Sequence, residues 1–247
     1  MTDTPLKIGI LETGRPPPEL AQFGNYPDMI AIWLAGFNAQ YQSFAVLDGQ
    51  IPNTPNAADI WVITGSKTGA YDALNWIQQL EGFVRDCQAA HRPMIGICFG
   101  HQLIAQALGG RVRKSDKGWG LGVHSYATDP WPEALGPAPD RLSLIAWHQD
   151  QVDIKPKGAV TIAQSEFCEY AALWYPGFAL TVQAHPEMRA PYARALLELR
   201  RGATLDEKDA DQGLATVANP TNADELATLI RTHLGAFGLP HPPQETT

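Results

Sequence analysis

A cysteine lies between two glycines in the segment GICFG (residues 96–100), where an apolar strand-like run meets a helical pattern. Small residues two positions on either side of Cys98 would relieve the backbone crowding of a tight strand-to-helix turn, as they do in the serine-bearing nucleophile elbow. Such a turn points the sulfur outward, at a helix N-terminus whose partial positive charge favours the thiolate. It also leaves the N–H of Phe99 facing a developing oxyanion. The segment indicates a nucleophilic cysteine, with a buried core cysteine as the alternative.

A histidine and a carboxylate follow a second strand-like run, FALTVQAHPE (residues 178–187). Pro186 fixes the turn between them, so the side chains of His185 and Glu187 can reach the same side of the strand end. A nucleophile needs a base, the base needs an orienting partner, and this carboxylate could fix the tautomer of the imidazole. An isolated His-Pro-Glu is usually a surface turn. Two strand-end signals together, however, predict a Cys-His-Glu site for nucleophilic catalysis.

Apolar periodicity in the first half of the chain predicts the elements that would carry these residues. Short β-type runs alternate with segments of helical spacing. The predicted strands are residues 7–11, 41–47, 59–64 and 93–98, and the predicted helices are residues 28–37, 75–90 and 99–108. Repeated βα units predict an α/β fold with an open, mostly parallel central sheet flanked by helices. In such a sheet, reactive groups gather at the carboxyl ends of the strands, which is where Cys98 is expected.

The second half of the chain changes to strands separated by turns, which predicts an antiparallel section. The predicted strands are residues 111–114, 120–128, 141–147, 159–165, 170–175 and 178–184. Helices are expected again from residue 189 onward, and Asn222 with Glu225 three positions later predicts a capping box. Residues 1–240 are expected to form a single domain, followed by a flexible, Pro-containing tail at residues 241–247.

Composition and charge exclude several classes of function. The chain has 247 residues and a net charge of −8, which argues against a nucleic-acid binder. The only cluster of basic residues in the sequence, at residues 111–117, is interpreted as a solvated surface. Three scattered cysteines do not make a disulfide framework or a zinc site. The sequence also has no nucleotide-binding fingerprint, so neither a metal nor an organic cofactor is predicted. The first residues do not resemble a signal peptide, and no apolar run is long enough to cross a membrane. A cytoplasmic protein is therefore expected.

The combination of GICFGHQ (residues 96–102) with a later HPE (residues 185–187) resembles the signature of class I, triad-type glutamine amidotransferases. DIWVITGS (residues 59–66) resembles the oxyanion-loop segment of that family. WHQDQV (residues 147–152) resembles the S-H-G-D-x-V segment of GMP synthase amidotransferase domains. The carboxy-terminal part is similar to stand-alone GMP-synthase-like relatives, among which plant γ-glutamyl peptidases are close. The resemblance implies a flavodoxin-like α/β fold.

The resemblance also implies the roles of the reacting groups. Cys98 would attack the side-chain amide of glutamine and form a γ-glutamyl thioester. His185 would take the thiol proton and pass it to the leaving ammonia, with Glu187 orienting the imidazole. The N–H groups of Phe99 and Gly65 would hold the oxyanion.

Three further residues match positions that contact the substrate in the family. Gln102 lies one helical turn after the cysteine and matches a substrate-contacting glutamine. His148 and Gln149 lie where the family holds the amino-acid end of the substrate. One departure affects the exit side of the substrate: the family's G-G-P oxyanion loop is replaced by TGSKTGAYD (residues 64–72). Its GSKTG stretch lacks the leading glycine and the spacing of a phosphate-binding loop.

Several functions remain open at this point. The leading hypothesis is a stand-alone glutaminase that passes ammonia to a separate synthetase chain, because no stretch resembles an ATP-binding domain. The second is a γ-glutamyl peptidase or hydrolase acting on a small γ-glutamyl conjugate. A DJ-1-like redox or chaperone protein would also place a cysteine at an elbow, but His185 and Glu187 argue against it. A non-catalytic binding protein would be expected to have lost one of the three residues. Glutamine or a γ-glutamyl small molecule is the expected ligand, with no nucleic acid and no membrane.

Overall fold

Eleven strands and six α-helices make up the described part of the chain, residues 5–128 and 130–237 of a computed structural model. The strands are β1 (Leu6–Glu12), β2 (Ala39–Ala45), β3 (Ile60–Ile63), β4 (Met94–Ile97), β5 (Arg111–Lys114), β6 (Gly120–Ala127), β7 (Arg141–His148), β8 (Asp150–Ile154), β9 (Val160–Ala163), β10 (Ala172–Tyr175) and β11 (Ala179–Val182). The helices are α1 (Tyr26–Trp33), α2 (Asn75–Ala89), α3 (Phe99–Ala107), α4 (Ala190–Arg200), α5 (Glu207–Thr216) and α6 (Ala223–Thr232).

The central sheet has seven strands in the order β2-β1-β3-β4-β11-β10-β9. The pairs from β2 to β11 are parallel, whereas β11–β10 and β10–β9 are antiparallel. Two small antiparallel sheets, β5–β8 and β6–β7, lie beside it. The prediction of a mostly parallel sheet with an antiparallel section is therefore confirmed.

Side chains of the sheet pack into separate hydrophobic clusters on its two faces. Ile10 and Leu11 are neighbours in β1 yet belong to different clusters, because successive strand residues point to opposite faces. One face packs against α1 and α6, with Ile30 and Ile230 in its cluster. The other face packs against α2 and α3, with Leu80 in its cluster. Burial on both faces explains why β3 and β4 read as continuous apolar runs rather than alternating ones.

Helix α3 ends at a pair of glycines, Gly109 and Gly110, directly after the predicted helix of residues 99–108. Gly109 has a φ of 91°, a left-handed conformation that glycine adopts without steric cost. Its N–H bonds to the carbonyl of Gln106 at 3.1 Å, and the N–H of Gly110 bonds to the carbonyl of Ala105 at 2.8 Å. These two bonds form a Schellman motif, which satisfies the last carbonyls of the helix.

The capping prediction was wrong, and the reason is a competing strand. The side-chain oxygen of Asn222 accepts from the N–H of Ser143 in β7 at 2.8 Å, so it does not cap α6. Its amide donates to the carboxylate of Glu225 at 2.7 Å instead. A capping box does form at α1, where Asn25 and Asp28 bond each other's backbone N–H groups. That cap starts α1 at residue 26, two residues before the predicted start.

Strand β8 was not predicted, because its first three residues, 150–152, lie within a segment interpreted as a motif. The proposed tail, residues 241–247, lies outside the described residues. Across residues 5–128 and 130–237, none of the helices has both the length and the apolar character needed to cross a bilayer.

Gly100 allows α3 to pack directly on β3, and its replacement by alanine is expected to destabilise the fold. A Cβ at Gly100 would lie 2.5 Å from the carbonyl oxygen of Ile63, which is backbone and cannot move aside. Overpacking of this kind should lower the free energy of unfolding by about 3 kcal/mol. The matched control is Gly82→Ala within α2, where a Cβ meets nothing within 4 Å. That change should raise stability by up to about 1 kcal/mol through helix propensity. Urea unfolding of both variants checks the pair, and similar shifts for the two would contradict this packing account.

Candidate active site

Cys98 occupies a strained turn between β4 and α3. Its φ of 50° and ψ of −100° lie outside the regions that residues with a Cβ normally adopt. Gly96 and Gly100 make the turn possible, because a Cβ at Gly96 would lie 2.7 Å from the carbonyl oxygen of Gly100. A conformation of this kind costs on the order of 1–3 kcal/mol and persists only where the surrounding structure holds it.

Strand register brings Gly65 and His185 to either side of Cys98. Strand β4 lies between β3 and β11 and runs parallel to both, so the three carboxyl ends meet at one edge. Ile97 is paired with Val182, and the N–H of Cys98 continues the ladder to the carbonyl of Val182 at 2.9 Å. Residues that are far apart in the sequence therefore form one site, as expected from their positions after the strands.

His185 and Glu187 form a buried pair. The imidazole Nδ1 lies 2.8 Å from Oε1 of Glu187, and the side chains are 5% and 2% exposed. This bond assigns the proton on Nδ1 and leaves Nε2 without a hydrogen-bond partner in the described part of the chain. Burial alone lowers the pKa of His185, but the charges of Glu187 and of the Cys98 sulfur outweigh it. The pKa of His185 is therefore raised well above its ordinary value.

Gly65 packs against the imidazole from the β3 side. A Cβ at Gly65 would lie 2.9 Å from Cε1 of His185 and 3.9 Å from Cβ of Cys98, so only glycine fits without displacing the ring. Its carbonyl is held by the hydroxyls of Thr13 and Thr64 at 3.2 and 3.1 Å. These bonds fix the direction of the peptide that follows β3.

Phe99 is the first residue of α3, so its N–H has no acceptor within the helix. Its ring turns into the core and packs against Trp76 with centroids 5.5 Å apart. The side chain therefore anchors the helix start, while the backbone remains beside Cys98.

Gln102, His148 and Gln149, the residues assigned to substrate contact, line one cavity together with Cys98 and His185. Hydrogen bonds to the protein hold the side chains of Gln102 and His148. Nε2 of Gln102 donates to the carbonyl of Asp150 at 2.9 Å and to Oε1 of Gln183 at 3.1 Å. His148 is buried, and its Nδ1 lies 3.2 Å from the same carbonyl of Asp150. Burial is the main cause that lowers the pKa of His148 to about 3, so this imidazole is neutral. Gln149 also lines the cavity.

The cavity has a volume of about 670 Å³ and opens beside Cys98 and His185. Glu187 and Phe99 lie behind its wall rather than on it. Its other walls come from the loop after β3, from the β7–β8 connection and from α4. Side chains to which the sequence analysis assigned no role are Tyr26, Lys67, Trp119, Trp147 and Arg200.

Two residues missed by the sequence reasoning contact the reacting groups. Nε2 of Gln183 lies 3.7 Å from Sγ of Cys98, and the carbonyl of Trp147 accepts from the thiol at 3.9 Å. Gln183 precedes His185 by two positions, so the strand period that places the histidine at the site could also have identified Gln183. Tyr26 lines the cavity, but no pattern in the sequence relates it to the site. Burial, with Tyr192 and Glu187 nearby, raises the pKa of the Tyr26 phenol, so the phenol stays protonated.

Acyl transfer through a covalent intermediate requires a nucleophile, a base, a group that orients the base and donors for the oxyanion. The thiol, imidazole and carboxylate of this site match the first three. Among the described residues, no group of three or more His, Cys, Asp or Glu side chains is placed to hold a metal ion.

Comparison with known proteins identifies the family of the chain. The model of the class-I glutamine amidotransferase family matches residues 55–198. A glutamine amidotransferase-like protein of Schizosaccharomyces pombe is 29% identical over 241 residues, covering 90% of this chain and 96% of that protein. γ-Glutamyl peptidase 4 of Arabidopsis thaliana is 32% identical over 174 residues, covering 67% of this chain and 68% of that protein.

The fold has close counterparts among solved structures. The crystal structure of a glutamine amidotransferase from Thermotoga maritima has a TM-score of 0.74 at 22% identity, covering 95% of this chain and 98% of that chain. At that identity the likeness concerns the fold. The family match spans more than half of the sequence. The chain is therefore a member of the class I glutamine amidotransferase family.

Proposed function

We propose that this protein hydrolyses a γ-glutamyl amide, converting glutamine to glutamate and ammonia through a γ-glutamyl thioester on Cys98. One observation carries the proposal. The strained Cys98, the buried His185–Glu187 pair and the glycine that packs against both meet at the edge of a single cavity. Family membership supports the same reaction type.

In the proposed mechanism, His185 accepts the thiol proton of Cys98 on Nε2 as Sγ attacks the carbonyl carbon of the amide. The N–H groups of Phe99 and Gly65 stabilise the resulting oxyanion, and each such donor is worth about 3–4 kcal/mol in other acyl transfers. Collapse of the tetrahedral intermediate breaks the C–N bond, and His185 returns the proton to the leaving nitrogen. A water molecule, deprotonated by His185, then cleaves the thioester and releases glutamate. Glu187 holds the imidazole in position throughout.

Substrate contacts are assigned to Gln102, His148 and Gln149. Because Nε2 of Gln102 is already bonded to two protein acceptors, this residue would offer its Oε1 to the substrate. Neutral His148 is suited to a hydrogen bond rather than to an ion pair.

The size of the cavity favours a second candidate, a γ-glutamyl peptidase. Glutamine has ten non-hydrogen atoms and needs at most about 300 Å³, taking the roughly 30 Å³ of a water molecule for each. The cavity volume of about 670 Å³ leaves space for a larger leaving group. Lys67, Lys114 and Arg200 line it, and in the described part of the chain no ion pair joins them to a carboxylate. They would suit a leaving group with a carboxylate.

The two candidates differ in what receives the nitrogen. A glutaminase of this type would supply ammonia to a separate synthetase chain, whereas a peptidase would need no partner. The chemistry up to the thioester is the same in both.

Glutamate release from a panel of substrates tests the proposal. The panel contains glutamine, γ-glutamyl dipeptides, glutathione and glutathione conjugates, with the Cys98→Ala protein as the blank. Slow release from glutamine alone would support a glutaminase that depends on a partner. Fast release from a γ-glutamyl peptide would support the peptidase. Equal release by the wild type and the blank from every substrate would contradict both.

A further inference from the structure

We propose that Gln183 is a further catalytic residue, whose side-chain amide donates a hydrogen bond to the thiolate of Cys98. The proposal rests on the proposed role of Cys98 as nucleophile. Gln183 is fully buried at the end of β11, and its Nε2 lies 3.7 Å from Sγ. Its backbone N–H is held by the carbonyl of Ala171 at 2.8 Å, so the residue is fixed at both ends.

A chain of hydrogen bonds sets the direction of this amide. Gln102 lies 2.9 Å from the carbonyl of Asp150, which can only accept, so the atom of Gln102 that faces it must be the donor Nε2. The same Nε2 lies 3.1 Å from Gln183, and therefore faces Oε1 of that residue. With Oε1 occupied, Gln183 directs its N–H groups toward Sγ. The amide orientations thus follow from a backbone carbonyl rather than from an arbitrary choice of rotamer.

The second contact of the sulfur shows why a donor is needed. The carbonyl of Trp147, 3.9 Å from Sγ, can accept the proton of the thiol but can only repel a thiolate. Once His185 has taken the proton, the negative charge remains on the sulfur of a residue that is only 7% exposed. A hydrogen bond to an ionised acceptor is stronger than one between neutral groups, so the Gln183 amide favours the thiolate over the thiol.

The test is the pH dependence of Cys98 alkylation by iodoacetamide in the substrate-free protein, followed by mass spectrometry of the Cys98 peptide. Burial raises the pKa of Cys87 and of Cys168 to about 12, so neither competes in the neutral range. In Gln183→Met, which keeps the shape but removes the donor, the midpoint of the alkylation profile should move upward by about one pH unit. In Gln102→Met, which releases the amide to rotate, the midpoint should move in the same direction by a smaller amount.

Gln151→Met is the matched control. Gln151 is a buried glutamine of β8, and among the described residues it makes no hydrogen bond to Sγ. The midpoint of Cys98 alkylation in this variant should therefore equal that of the wild type. An unmoved midpoint in folded Gln183→Met would overturn the proposal. If that variant does not fold, an unmoved midpoint in Gln102→Met would overturn it instead. The proposed function fails separately, through turnover retained by Cys98→Ala, which does not depend on these midpoints.

Discussion

Replacing Cys98 with alanine or with glycine is expected to abolish turnover, and the glycine variant is expected to be the more stable of the two. Loss of the nucleophile removes the covalent route, which should lower kcat by at least about 10⁴-fold. The glycine variant is expected to be more stable than the alanine variant because of the backbone conformation at residue 98. At φ 50° and ψ −100° a Cβ is strained, so glycine relieves a strain that alanine retains.

The comparison between the two variants isolates that strain, because neither has the sulfur. Elsewhere, a change from alanine to glycine lowers stability by about 0.5–1 kcal/mol. At position 98 we expect the order to reverse, with glycine more stable by about 1 kcal/mol. Urea unfolding measures the difference, and glutamate release measures the activity. A glycine variant less stable than the alanine variant would show that the turn is not strained, and full activity in either would exclude Cys98 as nucleophile.

The sequence predicted the reacting residues because their positions depend on local rules. Cys98 and His185 each follow a strand-like run and are themselves followed by Gly100 or Pro186, and parallel strands place such ends at one edge of a sheet. Glycines at 96 and 100 mark the tight turn in the same local way. The α/β class, most strands of the sheet and the Schellman motif after α3 follow from patterns of a few residues each.

The walls of the cavity could not be predicted in this way, since they depend on long-range packing. Tyr26 and Arg200 reach the cavity from α1 and α4, and no spacing in the sequence relates them to Cys98. The bond from Ser143 that diverts Asn222 from its helix is likewise made between segments 79 residues apart. Gln183 is the intermediate case, because the strand period implies its position but only the structure gives its contact with the sulfur.

Replacing Glu187 with glutamine is expected to slow turnover by roughly 10³-fold, which is less than the loss in Cys98→Ala. Glutamine keeps the shape of the side chain but removes the charge that stabilises protonated His185, so the base loses strength and its tautomer is less well fixed. Steady-state kinetics on the best substrate of the panel measure the change. Glu198→Gln, on the exposed side of α4, is the matched control and should behave as the wild type. A Glu187→Gln protein with unchanged kcat would remove the carboxylate from the proposed mechanism.

The same substitution should change how stability depends on pH, because the carboxylate of Glu187 favours the protonated form of His185. The pKa of His185 is raised in the folded protein above the value of about 6.5 expected in the unfolded chain. Its contribution to stability is therefore fully present below about pH 6.5 and is lost as the pH rises through the folded pKa. Without the carboxylate, the burial that remains lowers the pKa of His185, so the variant loses stability as the pH falls below about 6.5.

Both proteins should carry Cys98→Ala for this measurement, so that titration of the thiol does not contribute. The free energy of unfolding of the protein that keeps Glu187, minus that of the protein with Glu187→Gln, is then expected to decrease as the pH rises from about 6 to about 9. The limiting slope is about 1.4 kcal/mol per pH unit over the interval between the two folded pKa values of His185. Urea unfolding at several pH values measures it. A difference that stays constant, or grows with pH, would mean that Glu187 does not hold the proton on His185, because only the carboxylate distinguishes the two proteins.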